Sequence, residues 1–345
     1  MLPALLLLLS LLAIVPAPAI AAGESAAIAP PATSAREIPI PSWFKLSFLD
    51  IPDDVSDATA AKRRVMLYFG QDGCPYCLKL MQVDFTQKNI VDLMRQHFDA
   101  IAFNIWGSRE VTWLDGKTRT EKELARFLKI QFTPTLLFLD EKGNVALRVN
   151  GYYPPSKFTV ALDYVAGHME SRMPFSEYMK KNYREHGSGM LHDEPFFVQP
   201  PYELKRLANS GKPLMVLFEK KDCAACDELH AKTFKDEKTM ALITRFSVAR
   251  LDVESNHALV TPDGSRTTAA QWANALGIAY TPTLTFFNGG AKEVFRIEGY
   301  VKPFHFASGL EYVASGAFRN QPDFQKFLEA RAQRLRARGE TVKIF

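Results

Sequence analysis

The sequence predicts an α/β protein of two tandem domains, each with a central mixed sheet flanked by helices. The length of 345 residues corresponds to two domains of roughly 150 residues each. Residue pairs recur at an almost constant offset along the chain, and each half shows the same order of strand and helix patterns. Together these observations indicate that one α/β domain is present in two copies.

The repeat is carried by cysteines and by turn residues. Cys74 and Cys77 recur 149 residues later as Cys223 and Cys226. Further matches at an offset of 148 residues are Thr133-Pro134-Thr135 with Thr281-Pro282-Thr283, Gly151-Tyr152 with Gly299-Tyr300, and Tyr164-Val165 with Tyr312-Val313. Because solenoid repeats are only about 20–50 residues long, this period indicates a duplicated domain.

The first copy predicts the element order β-α-β-α-β-β-α. Its strands are short apolar runs between turn residues, and Pro75 suits the first turn of a helix. Thr120 and Glu123 have the spacing of a capping box, which Thr268 and Gln271 repeat in the second copy. The predicted strands are residues 65–69, 100–106, 135–139 and 145–149, and the predicted helices are residues 75–95, a helix after Thr120, and residues 155–165. This order predicts a sheet with a parallel part and an antiparallel hairpin.

The N-terminus has the pattern of an export signal. An apolar run over residues 4–15 precedes Ala19-Ile20-Ala21, so residues 1–22 are predicted to be a signal peptide and the protein to be periplasmic. The alternative is an uncleaved anchor with the protein facing the periplasm, since the first 22 residues carry no charged side chain. Residues 23–42 are rich in Ala and Pro and are expected to form a flexible tether.

The remaining boundaries follow from the repeat and from loop-forming residues. Gly and Pro concentrate in residues 186–200, which predicts a linker between domain 1 (residues 43–185) and domain 2 (residues 201–345). Residues 324–345 are basic with interleaved apolar side chains. We expect a solvated helix there whose apolar side lies on the second domain; contact with anionic lipid or an acidic partner is the alternative. Membrane contact is expected only through this helix or the N-terminus.

The composition argues against some classes of function. The net charge is only +4, and no long basic run precedes the C-terminal segment, so nucleic acid is not expected as a partner. The four cysteines all lie in the two Cys-x-x-Cys pairs and are too few for a disulfide scaffold. Their spacing therefore points to chemistry rather than to structural cross-links.

A strand, a Cys-x-x-Cys at the start of a helix and a distant Thr-Pro before a hairpin resemble the thioredoxin fold, and here they occur twice. The first copy, with Gly-Gln-Asp-Gly-Cys-Pro-Tyr-Cys and a closing Gly-Tyr-Tyr-Pro-Pro, is similar to the periplasmic thioredoxins associated with bacterial sulfur oxidation (the SoxW type). The resemblance implies cis peptides at Thr133–Pro134 and Thr281–Pro282, beside the disulfides, where the substrate chain pairs with the preceding residue. It implies no cofactor other than the redox-active disulfides.

The position of each pair at a predicted helix start gives its cysteines different roles. Free backbone N–H groups and the positive end of the helix dipole stabilise a thiolate there, which lowers the pKa of Cys74 and Cys223. The second cysteine, one turn further, can attack the mixed disulfide that the first one forms. We therefore expect Cys74 and Cys223 to be nucleophiles and Cys77 and Cys226 to be resolving thiols.

The residues between the cysteines differ between the copies. Pro75 and Tyr76 stand in the first pair, and Ala224 and Ala225 stand in the second. Pro75 fixes the helix start and Tyr76 places a ring beside the disulfide, whereas two alanines do neither. The two sites are expected to differ in reduction potential, which would allow electrons to pass between domains; two independent sites of similar potential are the alternative.

A metal is the rival interpretation of the second pair. His230 follows Cys226 by four residues and could complete a metal site with Cys223 and Cys226. The first copy has Met81 at that position. We therefore expect no metal and interpret His230 as an ordinary residue of the helix face.

One feature of thioredoxin is missing from both copies. The buried Asp that helps to move the proton of the resolving thiol is replaced by Tyr68 and Leu217. Glu219 is a candidate base in the second copy, while the first copy has Gly70 there.

The leading functional prediction is an exported thiol–disulfide oxidoreductase that reduces protein substrates. An exported chain cannot reach cytosolic NADPH, so a membrane electron donor is the expected partner, or a membrane acceptor if electrons flow the other way. A two-site isomerase or oxidase that holds one substrate between tandem domains is the first alternative. A non-catalytic chaperone or binding scaffold is the second.

Overall fold

The computed structural model describes residues 37–184 and 186–342. The predicted signal peptide, the first part of the predicted tether (residues 23–36) and the last three residues of the basic segment lie outside the described residues. Both copies of the repeat belong to one compact unit, Arg36–Phe345.

The first domain has the predicted mixed sheet, with strand order β2-β1-β5-β6. Strand β1 pairs with β2 in parallel and with β5 antiparallel, and β5 and β6 form the predicted hairpin. A separate small hairpin, β3 and β4, was not predicted. The strands are β1 Arg64–Gly70, β2 Phe98–Asn104, β3 Glu110–Thr112, β4 Thr118–Thr120, β5 Thr135–Leu139 and β6 Val145–Asn150. The helices are α1 Ile51–Ala60, α2 Pro75–Lys79, α3 Lys88–His97, α4 Glu121–Phe127, α5 Pro155–Ala166 and α6 Phe175–Asn182.

The second domain repeats this sheet as β14-β13-β9-β10 and adds β7 at its edge. Strands β12, β11 and β8 form a small separate sheet. The strands are β7 Phe197–Val198, β8 Tyr202–Glu203, β9 Leu214–Glu219, β10 Ser247–Asp252, β11 Ala258–Val260, β12 Arg266–Thr268, β13 Thr283–Phe287 and β14 Glu293–Glu298. The helices are α7 Leu204–Ala208, α8 Ala224–Lys232, α9 Glu237–Ile243, α10 Ala269–Ala275, α11 Pro303–Ala314 and α12 Phe324–Ala337.

Both faces of each sheet are covered by helices. Along β1 the side chains alternate between two cores: Met66 and Tyr68 pack in one, and Val65, Leu67 and Phe69 pack in the other. Every residue of β1 and of its counterpart β9 is buried. This explains why both strands appear in the sequence as continuous apolar runs.

The helix predicted over residues 75–95 is in fact divided. Helix α2 passes into a π-helical turn, Leu80–Asp84, and α3 begins only at Lys88. The division buries Phe85, whose ring packs against Phe44 and Phe158. Because residues 76–95 contain neither Gly nor Pro, nothing in the sequence pattern marks the break.

The capping box at Thr120 is confirmed, but its repeat is only half formed. Thr120 accepts from the Glu123 N–H, and Glu123 accepts from the Thr120 N–H. In the second copy Thr268 accepts from the Gln271 N–H, while the Gln271 side chain accepts from the Thr267 hydroxyl instead. The two helix starts therefore differ in one hydrogen bond.

Two predicted connecting segments are packed against the domains. Ile38, inside the predicted tether, is buried in the core of the first domain, and its N–H donates to Asp72. In the predicted linker, β7 pairs in parallel with β10 and so extends the sheet of the second domain. The packed fold therefore begins before residue 43, and part of the linker belongs to the second domain.

The basic C-terminal helix packs as expected. Phe324, Phe327 and Leu328 of α12 are buried in the second domain. Arg331 is also buried, where it pairs with Glu311. Within the described ranges, no helix combines the length and the apolarity that crossing a membrane requires.

The two domains contact each other through equivalent residues. Phe132 of the first domain packs on Phe324, the first residue of α12, with 5.4 Å between ring centroids. Its counterpart Tyr280 packs on Phe175, the first residue of α6, at 6.2 Å. Such reciprocal contacts are those of a two-fold interface. Phe132 and Tyr280 immediately precede the two Thr-Pro loops, so both loops lie at the contact between the domains.

Candidate active sites

Site one comprises Cys74, Cys77, Thr133 and Pro134. Cys74 is the N-cap of α2 and is bonded to Cys77, and its Sγ accepts from the Cys77 N–H at 3.1 Å. Cys74 is 4% exposed and Cys77 is fully buried. Pro75 begins the helix, as predicted, so Cys74 occupies the helix terminus where a thiolate is stabilised.

The Thr-Pro loop lies directly against the disulfide of site one. The Thr133–Pro134 peptide is cis, as the resemblance implied. The Thr133 hydroxyl donates to Cys74 Sγ at 3.4 Å, and the Thr133 carbonyl oxygen is 3.5 Å from the same sulfur. A chain that pairs with Thr133 would therefore lie beside Cys74.

Two glutamines that the sequence analysis did not single out hold this loop. Gln71 donates from Nε2 to the Thr133 hydroxyl at 3.0 Å, and its Oε1 accepts from Trp106 Nε1 at 2.7 Å. Gln325, from α12 of the second domain, accepts from Gln71 Nε2 at 3.3 Å and donates to the Gln131 carbonyl oxygen. Since 254 residues separate the two glutamines, no local pattern could reveal this contact.

A buried carboxyl group lies behind site one. Asp84, in the π-helical turn after α2, is fully buried. Burial raises the pKa of Asp84 to about 7, although the Tyr152 hydroxyl and Lys79 oppose the shift. The sequence analysis missed this residue, and its only signal is an acidic side chain among the apolar residues of that helix face.

Site two comprises Cys223, Cys226, Thr281 and Pro282. Cys223 is the N-cap of α8 and is bonded to Cys226, and its Sγ accepts from the Cys226 N–H at 3.1 Å. The Thr281–Pro282 peptide is cis. Helix α8 begins at Ala224, without a proline. Site two therefore repeats the helix start and the cis loop of site one, but not Pro75.

His230 is not the ordinary helix-face residue that we expected. It is buried, with Nε2 at 3.0 Å from Glu219 Oε1 and Nδ1 at 2.9 Å from Glu194 Oε1. Burial opposes protonation, but the hydrogen bonds and charges of Glu219 and Glu194 outweigh it and raise the pKa of His230. Over residues 37–184 and 186–342, no group of His, Cys, Asp and Glu side chains has the arrangement of a metal site.

Residues of the predicted linker cover site two. A Cβ atom added to Gly187 would lie only 2.2 Å from the Cys223 nitrogen, so backbone packs on backbone there. Asp227, next to Cys226, accepts from the Ser188 N–H at 2.7 Å and from the Ser188 hydroxyl at 2.7 Å. His192 Nε2 lies 2.6 Å from Asp227 Oδ1. Cys223 is left with no exposed surface.

A cleft of about 700 Å³ lies between the two domains. Its lining includes Cys74, Tyr76 and Thr133 from the first domain, and Ala225 and Thr281 from the second. Burial, together with the nearby Tyr300 and Glu228, raises the pKa of Tyr76 to about 12. Site one therefore opens into a cavity that both domains build, whereas site two contributes Ala225 and its loop but not its first cysteine.

Several solved structures are similar to one or both parts of the chain. A thioredoxin-fold protein from Helicobacter pylori has 17% identity and a TM-score of 0.33, covering 40% of this chain and 87% of that chain. A thioredoxin from Thermus thermophilus has 26% identity and a TM-score of 0.27, covering 34% and 83%. The oxidoreductase DsbH has 16% identity and a TM-score of 0.27, covering 42% and 94%. No curated protein matches.

The family comparison agrees with the duplicated fold. A family model described as a thioredoxin-like domain matches twice, over residues 51–166 and 200–314. Each match contains one Cys-x-x-Cys pair and one cis Thr-Pro loop. The chain therefore belongs to the thioredoxin-like domain family and carries that domain twice.

Proposed function

We propose that this thiol–disulfide oxidoreductase reduces the disulfides of protein substrates and that site one exchanges with them. The observation that carries the proposal is the position of Cys74. It begins a helix, lies against the Thr133 loop and lines the cleft between the domains. A nucleophile needs this combination of thiolate stabilisation, a neighbouring strand edge and access.

The proposed exchange has two steps. The Cys74 thiolate attacks one sulfur of a substrate disulfide; the other substrate sulfur leaves as a thiolate and takes up a proton. Cys77 then loses its proton and attacks Cys74 Sγ, which breaks the mixed disulfide and releases the second substrate sulfur as a thiolate. Two electrons have passed from the Cys74–Cys77 dithiol to the substrate.

The place of the reaction and the electron source belong to the same proposal. The apolar run and the small residues at the N-terminus support export to the periplasm. NADPH is not available there, so a membrane protein is proposed as the electron donor. No cofactor beyond the two disulfides is needed for the exchange. The similarity to the thioredoxins of sulfur oxidation stays a prediction.

A two-site isomerase is the second candidate. The cleft lined by both domains favours it, because one substrate held there would meet site one at a high effective concentration. Insulin reduction with dithiothreitol measures the reductase activity, and recovery of scrambled ribonuclease measures isomerisation. We expect faster insulin reduction with little ribonuclease recovery; the reverse pattern would favour the isomerase. No activity in either assay would favour a binding scaffold.

The division of roles within site one can be tested directly. In a protein whose second pair is removed by Cys223→Ser and Cys226→Ser, Cys74→Ser should abolish insulin reduction. Cys77→Ser should instead accumulate a mixed disulfide with the substrate, because no resolving thiol remains. Non-reducing electrophoresis detects this adduct. Equal trapping by both variants would contradict the assignment of Cys74 as nucleophile.

A further inference from the structure

The apolar contact between the domains is symmetric, but the polar contact at site one is not. Gln325 follows Phe324 in α12, and the matching residue after Phe175 in α6 is Ser176. Gln71 is matched by Lys220 before the second pair. The two positions that carry glutamines at site one carry a lysine and a serine at site two, so a bridge between two amide side chains is not repeated there. Duplication alone does not account for it.

The bridge links the second domain to the first disulfide in three hydrogen bonds. Gln325 Oε1 accepts from Gln71, Gln71 donates to the Thr133 hydroxyl, and that hydroxyl donates to Cys74 Sγ. Gln325 is itself buried and also holds the Gln131 carbonyl oxygen, two residues before Thr133. Gln325 thus holds one end of this loop segment directly, at Gln131, and the other end, at Thr133, through Gln71.

We propose that Gln325 is a positioning residue for site one, through which the second domain shapes the substrate loop at Thr133. This inference rests on the proposed exchange at Cys74. The substrate that fits such a site is one extended polypeptide segment. A cleft of about 700 Å³ has the size of a small-ligand pocket and is too small for a folded domain. Tyrosines in the lining, Tyr76 and Tyr300 among them, favour apolar side chains near the substrate cysteine.

The test uses the full chain with the second pair removed (Cys223→Ser/Cys226→Ser). Gln325→Met keeps the side-chain volume and removes the hydrogen bonds. The KM for insulin should rise about three- to ten-fold, the size of one or two lost hydrogen bonds, with kcat little changed. Reduction of the small disulfide 5,5′-dithiobis(2-nitrobenzoate), which needs no loop, should keep its rate.

Controls separate this inference from the proposed function. Ser176→Ala, at the matching position of α6, should change neither assay. An unchanged insulin KM in Gln325→Met, or an equal loss with both substrates, would overturn the positioning role. If the parent protein reduces neither substrate, the proposed function itself fails. Should Gln325→Met unfold at a lower temperature, Gln71→Met removes the other end of the bridge, together with the bond to Thr133, and must also raise the insulin KM.

Residues 187–192 of the predicted linker pack against site two. Gly187 packs on the backbone of Cys223, and Ser188 and His192 both bond to Asp227 on α8. The His192 ring also stacks on His230, with 4.6 Å between centroids. Four independent contacts thus hold residues 187–192 over the first cysteine of site two.

We infer that residues 187–192 restrict site two to small thiols and disulfides and exclude protein substrates from it. A protein sulfur must approach Cys223 in line with its S–S bond, but that residue has no exposed surface and the linker packs on its backbone nitrogen. Local opening breaks charge-assisted hydrogen bonds to Asp227, so the open form is a minor population. Among the described residues, the tether segment at Ile38 also packs near site one through Asp72, but Cys74 keeps some exposed surface and lines the cleft.

Alkylation by reagents of different size tests this inference. The reduced protein is treated with N-ethylmaleimide or with a maleimide carrying a 5-kDa polyethylene glycol, and each cysteine is followed by peptide mass spectrometry. The ratio of small-reagent to large-reagent rate should be about ten-fold or more higher at Cys223 than at Cys74, since opening costs several hydrogen bonds. Using one reactive group removes any effect of thiol pKa.

Gly187→Val should displace the cover, because its Cβ has no room beside Cys223. The large reagent should then react with Cys223 about ten-fold faster, as the opening cost is removed. Gly290→Val, where nothing lies within 4 Å, is the matched control. Equal size ratios at Cys74 and Cys223 in the unmodified protein, or no effect of Gly187→Val, would overturn the inference.

Discussion

Site one and site two share a backbone plan but differ in their surroundings. Both place a cysteine at a helix start, and a cis Thr-Pro loop recurs in each domain. Cys74 lines a cleft and its loop is held by the second domain, whereas Cys223 lies under the linker. Duplication has kept the elements that make a thiolate reactive, while the residues that control access have diverged.

The buried ionisable groups have diverged as well. Site one has Asp84, and its counterpart in site two is the neutral Thr233. Site two has His230 between two glutamates, and its counterpart is Met81. Each site therefore has its own response to pH, and the two responses can be measured separately.

The largest expected effect on stability concerns His230. His230→Leu leaves Glu219 and Glu194 buried without their shared partner and should cost about 3 kcal/mol. Met81→Leu, at the matching position, should cost less than about 1.5 kcal/mol because it exchanges one apolar side chain for another. Denaturant unfolding at pH 6, where His230 is protonated, compares the two. Equal costs would show that the buried network contributes nothing beyond packing.

The stabilisation that His230 contributes should decrease as pH rises. The pKa of His230 is raised in the folded protein, so its stabilisation is present below the unfolded value and is lost as pH rises through the folded one. The difference between wild type and His230→Leu should therefore shrink at alkaline pH.

Asp84 should lower stability in the same direction, as pH rises, but over a more acidic range than His230. Its folded pKa of about 7 is above the unfolded value, so the native state holds a proton that the unfolded chain releases from pH 4 upward. Wild type should therefore lose stability relative to Asp84→Asn between pH 4 and 7, by about 2–4 kcal/mol. Unfolding curves at pH 4.5 and 7.5 measure the difference. A difference that does not vary with pH would mean that Asp84 is not protonated in the native state.

The smallest expected effect is on the reduction potentials. The residues between the cysteines differ between the sites, Pro75 and Tyr76 against two alanines, and site two lies against the linker. These differences change the stability of the thiolate relative to the disulfide. We expect potentials that differ by about 30 mV or more, which corresponds to about 1.4 kcal/mol for a two-electron couple. The two single-site proteins are equilibrated with glutathione buffers and their thiols are counted. Agreement within about 10 mV, a third of that scale, would exclude a directed relay between the domains.

The sequence predicted what local rules determine. The strand at residues 135–139, the capping box at Thr120 and the helix start at Cys74 depend on residues within a few positions of each other, and all are present. The cis loops were implied by the resemblance rather than by spacing. Local pattern failed at the division of the helix after Asp84, because no Gly or Pro marks it.

The differences between the sites could not be predicted because they depend on distant contacts. Gln325 meets Gln71 across the domain interface, and Gly187 packs on Cys223 from a segment whose composition indicates only a loop. Glu219 was proposed as a base from its position alone, but it bonds to His230, whose other ring nitrogen bonds to Glu194 in the predicted linker. Such groups meet only once the fold has formed.

Insulin reduction by the two single-site proteins shows which site exchanges with protein substrates. The protein with Cys223→Ser/Cys226→Ser keeps site one, and the protein with Cys74→Ser/Cys77→Ser keeps site two. The first should retain most of the wild-type rate, and the second should fall about ten-fold or more because its cysteine is covered by hydrogen-bonded backbone. Both should still reduce a small disulfide. Equal insulin rates in the two proteins would contradict the claim that only site one exchanges with protein substrates.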